Sequence, residues 1–177
     1  MINGPQKGVN QNFENAIRSC KGKYIFLCDQ DDVWKPNKIN KVLECFEKND
    51  VSLVVHDAEV IDEKHDIVIP SFFQYRNSGK GIIKNIWKNT YIGCCMAFKN
   101  EIKNYILPIP LKIEMHDQWI GILNEKYGKT YFLNEKLLEY RRHTTNVSSF
   151  KHHSIGVMIR NRCIFIKEFI MRGKKRR

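Results

Sequence analysis

The sequence lacks several features that would place it in other classes of protein. None of its apolar runs approaches the ~20 residues that a membrane-spanning helix needs. The N-terminal stretch MINGPQKGVNQ has no apolar core of the kind found in secretory signal peptides. The chain also contains no internal repeat and no low-complexity linker. We therefore expect a cytoplasmic protein.

The pattern of cysteines argues against a protein with a structural zinc site. Six cysteines are present, but none belongs to a C-x-x-C pair, which argues against a structural zinc site. Several of them lie inside apolar runs, where a thiol behaves as a small hydrophobic side chain. We expect reduced cysteines that pack in the core.

The charge is strongly positive but unevenly distributed. The 177 residues are 42% hydrophobic, enough for one domain with a real core, and they carry a net charge of +11. Such a balance suggests a polyanionic partner: nucleic acid, an anionic membrane surface or a phosphorylated substrate. Residues 160–177 hold eight Lys or Arg and a single acid, Glu168. Because the first 150 residues are only mildly basic, nucleic acid is the least favoured of the three.

The first 57 residues alternate between helix and strand patterns. Residues 10–22 predict a short helix that ends at Gly22, and residues 23–28 a buried strand. Pro36 begins a helix with an apolar stripe, and residues 51–57 are a second apolar strand. This alternation predicts an α/β fold with parallel strands.

The remainder of the chain predicts further strands and helices. Residues 61–69 suggest a hairpin, and residues 90–98 a strand in which Gly93 allows a close approach. Residues 116–128 predict a helix, followed by two strands over residues 129–134 and 136–143.

The C-terminal segment predicts a basic amphipathic helix. We divide the chain into a domain over residues 1–150 and a basic helical tail over residues 151–177. The tail either packs on the domain or lies on the cytoplasmic face of a membrane. Six apolar residues of the tail are expected to form one stripe: Ile155, Met158, Ile159, Ile166, Phe169 and Ile170.

Three carboxylates follow the first predicted strand, in the stretch FLCDQDDVWKP. Asp29, Asp31 and Asp32 come between that strand and the helix that begins at Pro36. In open α/β sheets, ligands bind at the carboxyl ends of strands. A D-x-D pair there can hold Mg²⁺ or Mn²⁺ together with substrate phosphates. Alternatively, Asp32 or Asn37 caps the following helix and the other acids are solvated.

Two other acidic motifs were compared with this stretch. An EF-hand loop is excluded, because its turn glycine and later ligands would fall on Val33 and Trp34. The first motif of haloacid-dehalogenase-type phosphatases also resembles DQDDV. Those enzymes need a later acidic pair, and the sequence offers no convincing one downstream.

Two later clusters of polar residues could contribute to a site. His116 and Asp117 open a predicted helix, where an acid is favoured by the helix dipole and can also act as a general base. The stretch EYRRHTTNVS ends a strand and can bind phosphate oxygens or a metal, or be a cationic surface loop. Its polar residues are Arg141, Arg142, His143 and Asn146.

Taken together, these clusters resemble the family 2 glycosyltransferases of bacterial polysaccharide synthesis, particularly the rhamnosyltransferase-like members. Order and spacing agree from about residue 3 to residue 149. The stretch DQDDVW followed by P-x-K-I is the most specific part of the match, and HDQW and YRRHTTN support it. The matching stretches are residues 8–39, 91–102, 108–122 and 137–148.

The resemblance implies a fold, a donor and a set of catalytic residues. The fold would be GT-A, a Rossmann-like α/β mixed sheet with flanking helices, and the donor a nucleotide-diphosphate sugar used with Mg²⁺ or Mn²⁺. By position, Asp29 and Asp31 would be the ends of the D-x-D, with Asp31 contacting the metal. Asp117 would deprotonate the acceptor hydroxyl in an inverting transfer. His143, with Arg142, would approach the diphosphate or the metal.

The resemblance also implies contacts with the substrates. Trp34 and Trp119 would line the sugar or acceptor cleft, unless they are ordinary core aromatics. Gly93 and Cys94 would lie near the acceptor. The full set of expected substrate contacts is Asp32, Trp34, Gly93, Cys94, His116 and Trp119.

One departure from the family pattern bears on activity. The strands that bind the nucleobase and ribose in this family, about 70 residues, have no counterpart before MINGPQKG, so we expect an N-terminally truncated fold. Self-association or a complementing N-terminal half could cover the exposed sheet edge. The expected function is transfer of a sugar to a cell-envelope or capsular saccharide, free or lipid-linked. The alternative is a catalytically inactive fragment that serves as a partner subunit or remnant.

Overall fold

The protein is an α/β structure built on one mixed sheet. A computed structural model describes residues 3–142 and 154–174, with the side chain of Lys174 left out. The strands are β1 Tyr24–Phe26, β2 Val33–Trp34, β3 Leu53–Ile61, β4 Ile67–Ile69, β5 Met96–Lys99 and β6 Thr130–Arg141. The helices are α1 Val9–Ser19, α2 Lys38–Lys48, α3 Phe72–Arg76, α4 Ile82–Trp87, α5 Lys103–Ile106, α6 His116–Tyr127 and α7 Ile155–Lys174.

The sheet is mixed rather than parallel. Its strand order is β1-β5-β3-β6-β2, and β4 pairs with β3. The long central pair, β3 with β6, is parallel, and every other pairing among the described strands is antiparallel. Strands β1 and β3 run in the same direction, as the helix–strand alternation predicts. They are not neighbours, however, because β5 lies between them and is antiparallel to both.

Two local predictions differ from the structure, and one short strand was not predicted. The two strands predicted over residues 129–143 are one strand, β6, whose register against β3 shifts near the middle. The segment predicted as a strand over residues 90–98 begins without regular structure, forms a 3₁₀ turn at Gly93–Cys95 and becomes strand only from Met96. The two-residue strand β2 was not predicted, since a pair of residues carries no periodic signal. The hairpin over residues 61–69 is confirmed as the antiparallel pair β3–β4.

The core lies on both faces of the sheet. Successive side chains of a strand point to opposite faces. Accordingly, Leu53 and Val55 belong to the larger cluster, which includes residues of α1, α5 and α6. Val54 belongs to a smaller cluster with residues of α2. The cysteines of the described residues are free thiols, and Cys45, Cys94 and Cys95 are buried.

The C-terminal helix α7 does not present one apolar stripe to the domain. Phe165 is 3% exposed, and Phe169 packs at the edge of the larger cluster. Ile159 and Ile170, which share the predicted stripe with Phe169, are about half exposed. The predicted stripe is therefore split between two faces of the helix. Within the described residues, no helix combines the length and the apolar character needed to cross a membrane.

A buried asparagine of α6 links this helix to α5 and to the residues at the start of β3 and β6. The Oδ1 atom of Asn124 accepts hydrogen bonds from the Ser52 hydroxyl (2.7 Å) and the Tyr105 hydroxyl (2.9 Å). Its Nδ2 donates to the Thr130 hydroxyl at 2.9 Å. Asn124 is 0% exposed, so water cannot take its place as a hydrogen-bond partner of these three hydroxyls.

We expect Asn124→Ala to lower the free energy of unfolding by about 2–4 kcal/mol, because it leaves three buried hydroxyls short of a partner and opens a cavity. Urea denaturation measures this change. The matched control is Asn12→Ala on the exposed side of α1, for which we expect a change below about 0.5 kcal/mol. Equal effects of the two substitutions would contradict the structural role of Asn124.

Candidate active site

Strand pairing creates the site by bringing two loops together. Strand β1 pairs with β5 in antiparallel fashion, with Phe26 opposite Ala97, and the Leu27 N–H donates to the Met96 carbonyl at 3.0 Å. The chain leaving β1 therefore runs beside the chain entering β5. The first of these segments carries the three aspartates, and the second is the Gly93–Cys95 turn. The N-terminus of α6 lies against the same turn.

The aspartate loop and the turn form a compact cluster of potential ligands. One side-chain atom each of Asp29, Asp32 and Cys94 lies within 4.8 Å of the others. Asp32 Oδ1 accepts a hydrogen bond from the Arg141 N–H at 3.2 Å, whereas its buried Oδ2 has no partner among the described residues. Burial raises the pKa of Asp32 to about 7 and also raises the pKa of Asp29. The cluster therefore favours the uptake of a cation or a proton.

This arrangement differs in detail from the predicted D-x-D. The three-residue group contains Asp29 and Asp32, while Asp31 is half-buried in the same loop and outside the group. The orphaned Oδ2 of Asp32 and the neighbouring Asp29 carboxylate are hard oxygen donors that suit Mg²⁺ or Mn²⁺. The Cys94 thiol is a softer donor. The residues present thus fit a divalent cation held by two carboxylates.

A buried lysine that sequence reasoning missed supports this loop. Lys38, in the first turn of α2, is 1% exposed, and its Nζ donates to the Cys94 carbonyl at 2.8 Å. The same ammonium lies 3.9 Å from the centroid of the Trp34 ring. Burial lowers the pKa of Lys38, while the neighbouring Cys95, Cys94, Cys28 and Asp32 oppose that shift. The only sequence signal was its place in the P-x-K stretch after the aspartates.

The two tryptophans that were predicted to line a cleft pack against other side chains of the protein. Trp119 does not line a cleft, because its side chain is 0% exposed and its indole N–H donates to the Ile106 carbonyl at 2.8 Å. For Trp119 the alternative reading, an ordinary core aromatic, is the correct one. Trp34 is half-buried between Lys38 and Phe26, whose ring centroid is 5.9 Å away. It covers the buried ammonium at the edge of the site.

Asp117 is held at the start of α6 by side-chain and backbone donors, including the Gly93 N–H. Its Oδ1 accepts hydrogen bonds from the Gln118 N–H at 2.6 Å and from Asn89 Nδ2 at 3.2 Å. Burial raises the pKa of Asp117 to about 6. Asn89 was not predicted from the sequence, since it lies 28 residues away with no motif around it.

His116 is oriented by stacking. Its ring lies parallel to the Phe13 ring, with the centroids 3.9 Å apart. Burial lowers its pKa to about 4, and its Nε2 has no hydrogen-bond partner in the described part of the chain. At neutral pH the helix therefore begins with a neutral imidazole next to an ionised carboxylate.

Gly93 explains how the two halves of the site approach each other. A Cβ atom built at Gly93 would lie 3.1 Å from His116 Nε2 and 3.7 Å from the Asp117 Cβ. The missing side chain lets α6 begin directly against the turn that carries Cys94. Asp29 interacts electrostatically with both His116 and Asp117, so the metal-binding candidates and the predicted base share one site.

The arginine–histidine cluster is only partly described. The end of β6 reaches the site through the Arg141 N–H bond to Asp32. Arg142 is half-buried, and its N–H donates to the Ile61 carbonyl at 2.9 Å. His143 and Asn146 lie outside the described residues. The predicted contacts of Arg142 and His143 with a diphosphate or metal remain predictions.

Comparison with known families identifies the class of protein. Residues 1–107 match the model of glycosyl transferase family 2. Because the match covers more than half of the 177 residues, the chain belongs to this family. The resemblance drawn from the sequence motifs is confirmed.

Several relatives carry more specific names. The chain is 26% identical over 147 residues to an uncharacterised glycosyltransferase of Nostoc sp., covering 79% of this chain and 46% of that protein. It is 28% identical over 145 residues to the putative teichuronic acid biosynthesis glycosyltransferase TuaG of Bacillus subtilis, covering 77% and 53%. It is 23% identical over 156 residues to the Escherichia coli UDP-Glc:alpha-D-GlcNAc-diphosphoundecaprenol beta-1,3-glucosyltransferase WfgD, covering 85% and 58%. The chain thus spans about half the length of these relatives.

A solved structure confirms the fold. The crystal structure of S. aureus TarS 1–349 in complex with UDP-GlcNAc superposes with a TM-score of 0.64 at 10% sequence identity. The match covers 89% of this chain and 46% of that chain. The mixed sheet with flanking helices is therefore a GT-A fold, as predicted.

The raised pKa of Asp117 predicts how stability depends on pH. A carboxyl with a pKa near 6 in the folded state, above its ordinary 3.8, stabilises the fold at low pH and loses that contribution as pH rises through about 6. In Asp117→Asn, whose Oδ1 can keep the hydrogen bonds from Gln118 and Asn89, this loss is absent. The unfolding free energy of the variant minus that of the wild type should grow by about 2 kcal/mol from about pH 4 to about pH 7.

Urea denaturation across this pH range measures the difference. Asp50→Asn is the control of opposite sign, because the Lys129 hydrogen bond lowers the pKa of Asp50. A flat difference for Asp117→Asn would show that Asp117 titrates like an exposed carboxylate.

Proposed function

We propose that this chain carries the catalytic part of an inverting glycosyltransferase that transfers a sugar from a nucleotide-diphosphate donor. The observation that carries the proposal is the meeting of Asp117 with the Asp29–Asp32 loop across the Gly93 turn. A transferase of this kind needs a base for the acceptor hydroxyl and a cationic centre for the diphosphate within one site. The side chains around Gly93 supply the base and the ligands for the cation.

Asp117 is suited to act as the base. Its pKa near 6 makes it a stronger base than an ordinary aspartate, yet leaves it ionised at neutral pH. In the proposed step, Asp117 takes the proton of the acceptor hydroxyl while that oxygen forms a bond to the anomeric carbon. The bond from the anomeric carbon to the diphosphate oxygen breaks at the same time, and the configuration at that carbon inverts. The electron pair leaves with the diphosphate.

The aspartate loop would hold Mg²⁺ or Mn²⁺. Asp29 and Asp31 are the ends of the D-x-D, and the free Oδ2 of Asp32 is a further oxygen donor beside Asp29. When bound, the cation offsets the negative charge of the donor diphosphate. The buried Lys38 supports the Cys94 backbone from behind.

The acceptor is proposed from the relatives. TuaG is named for teichuronic acid biosynthesis, and the name of WfgD describes a diphosphoundecaprenol-linked sugar as its acceptor. TarS was crystallised with UDP-GlcNAc. A sugar nucleotide as donor and a cell-envelope saccharide, free or lipid-linked, as acceptor fit this group of names. We propose the same substrate classes for this chain.

Donor binding should depend on the cation and on the aspartate loop. Isothermal titration calorimetry with UDP-sugars should show heat of binding in Mn²⁺ that is lost with a chelator. We expect Asp31→Ala and Asp32→Ala each to weaken binding by about tenfold or more, since each removes a charged ligand. Asp66→Ala, on an exposed turn, should bind as the wild type does.

Two results would contradict the proposal. One is no binding of any sugar nucleotide by the wild type, which would favour the catalytically inactive alternative. The other is binding that is unchanged by Asp31→Ala and by chelation.

Removal of the base should separate chemistry from binding. We expect Asp117→Asn to lower kcat by about 10³-fold, within the range of general-base contributions, with donor affinity changed by less than about threefold. In the wild type, kcat/KM should fall below about pH 6 as Asp117 becomes protonated. The rate at which nucleoside diphosphate is released, during sugar transfer or donor hydrolysis, measures both the loss of kcat and the pH dependence of kcat/KM. An Asp117→Asn variant with wild-type turnover would assign the base elsewhere.

A further inference from the structure

Helix α7 is fixed to the domain by one of its faces. Phe165 is 3% exposed and meets the Trp119 ring edge-on at 5.7 Å. Arg172 places its guanidinium 5.3 Å from the same ring and donates to the Leu107 carbonyl. Arg162 donates to the Trp87 carbonyl at 3.1 Å. These contacts orient the helix, so the face it turns outward is defined.

The outward face carries a stripe of isoleucines. Four residues, called the outward stripe below, are spaced by four, seven and four positions, which places them in one row along a helix with 3.6 residues per turn. Their side chains are Ile155 (76% exposed), Ile159 (53%), Ile166 (41%) and Ile170 (52%). Single exposed apolar residues are ordinary, but four exposed isoleucines on one side of a helix form a candidate interaction site.

Cations and an aromatic ring border the stripe. Arg160 and Lys167 are exposed, and each follows an isoleucine by one position, about 100° further round the helix. The helix as a whole has five Lys or Arg and a single acid, Glu168. At the other border lies the 61%-exposed Trp87 of α4, whose ring is 5.3 Å from the Arg162 guanidinium.

We propose that the outward stripe binds the surface of an anionic lipid bilayer, with α7 lying in the plane of the interface. The acyl layer of a bilayer can bury the isoleucines, and the anionic headgroups above it can pair with the flanking cations. An indole ring such as that of Trp87 is favoured at the boundary between these two layers. A nucleic acid would pair with the cations but leave the isoleucines in water. The net charge of +11 further attracts the protein to an anionic surface.

The proposal is tested independently of the proposed function, because vesicle binding requires neither donor nor cation. Flotation of the full chain with phosphatidylcholine vesicles, with or without phosphatidylglycerol, measures the partition. We expect binding only to the mixed vesicles, and a loss of most of it when NaCl rises from about 0.1 M to about 0.5 M. Trp87 fluorescence should shift to the blue on binding, and Trp87→Phe should remove the shift.

Matched variants identify the surface. Ile159→Ser/Ile166→Ser should lower the partition about tenfold, and Arg160→Gln/Lys167→Gln should lower it by about tenfold or more. The control is Ile39→Ser/Ile67→Ser, which removes two isoleucines that are equally exposed (47% and 57%) but lie on α2 and β4. This control should bind as the wild type does, and circular dichroism verifies that each variant is folded.

Three outcomes would overturn the proposal. The first is no binding of the wild type to either vesicle, and the second is a loss that is as large in the control as in the stripe variant. The third is a dimer in solution that Ile159→Ser/Ile166→Ser dissociates, which would assign the outward stripe to a second copy of the chain.

Discussion

The candidate site depends on one antiparallel strand pairing, β1 with β5. Strand β1 is only three residues long, and on its own it would not hold a loop in place. Its pairing with β5 continues through the Leu27 N–H bond to the Met96 carbonyl, past the end of the strand itself. This last hydrogen bond fixes the point at which the aspartate loop leaves the sheet. The loop is thereby brought against the Gly93–Cys95 turn, and through Gly93 against the start of α6. A shift of this pairing by one residue would turn the alternating side chains to opposite faces and separate the carboxylates from Asp117.

The second constraint is electrostatic. Burial raises the pKa of Asp29, Asp32 and Asp117, which means that the ionised forms of these carboxylates are disfavoured when no cation is bound. The ammonium of Lys38 faces the Cys94 carbonyl rather than the solvent and stabilises the backbone of the turn. A divalent cation beside Asp29 and Asp32 would relieve the repulsion between them and make their ionised forms favourable. In the proposed function, this relief of repulsion would favour binding of a cation together with the donor diphosphate.

The sequence predicted the parts of this site that depend on local motifs. The acidic loop after a strand, Asp117 at a helix start and the close approach at Gly93 each follow from residue type and position in an element, whereas the roles of the D-x-D pair and of Asp117 remain predictions. The order of the strands was harder to predict, because β5 lies between β1 and β3 although it follows both of them in the chain. No local pattern in the sequence indicates that insertion. Lys38 and Asn89 were missed for the same reason: their roles arise from partners 56 and 28 residues away. The sequence left the position of Trp119 open, because an aromatic beside a motif has the same sequence signal whether it faces a cleft or the core.

The neighbours His116 and Asp117 show how one environment can assign two protonation states. Burial disfavours the charged form of both side chains, which lowers the pKa of His116 to about 4 and raises that of Asp117 to about 6. Both values lie below neutral pH, so the imidazole is uncharged while the carboxylate is ionised. A protonated His116 would pair with Asp29 or Asp117 and weaken the base. A neutral His116, stacked on Phe13, instead leaves Asp117 as the group that accepts a proton. This difference in protonation supports the proposed role of Asp117, rather than His116, as the base.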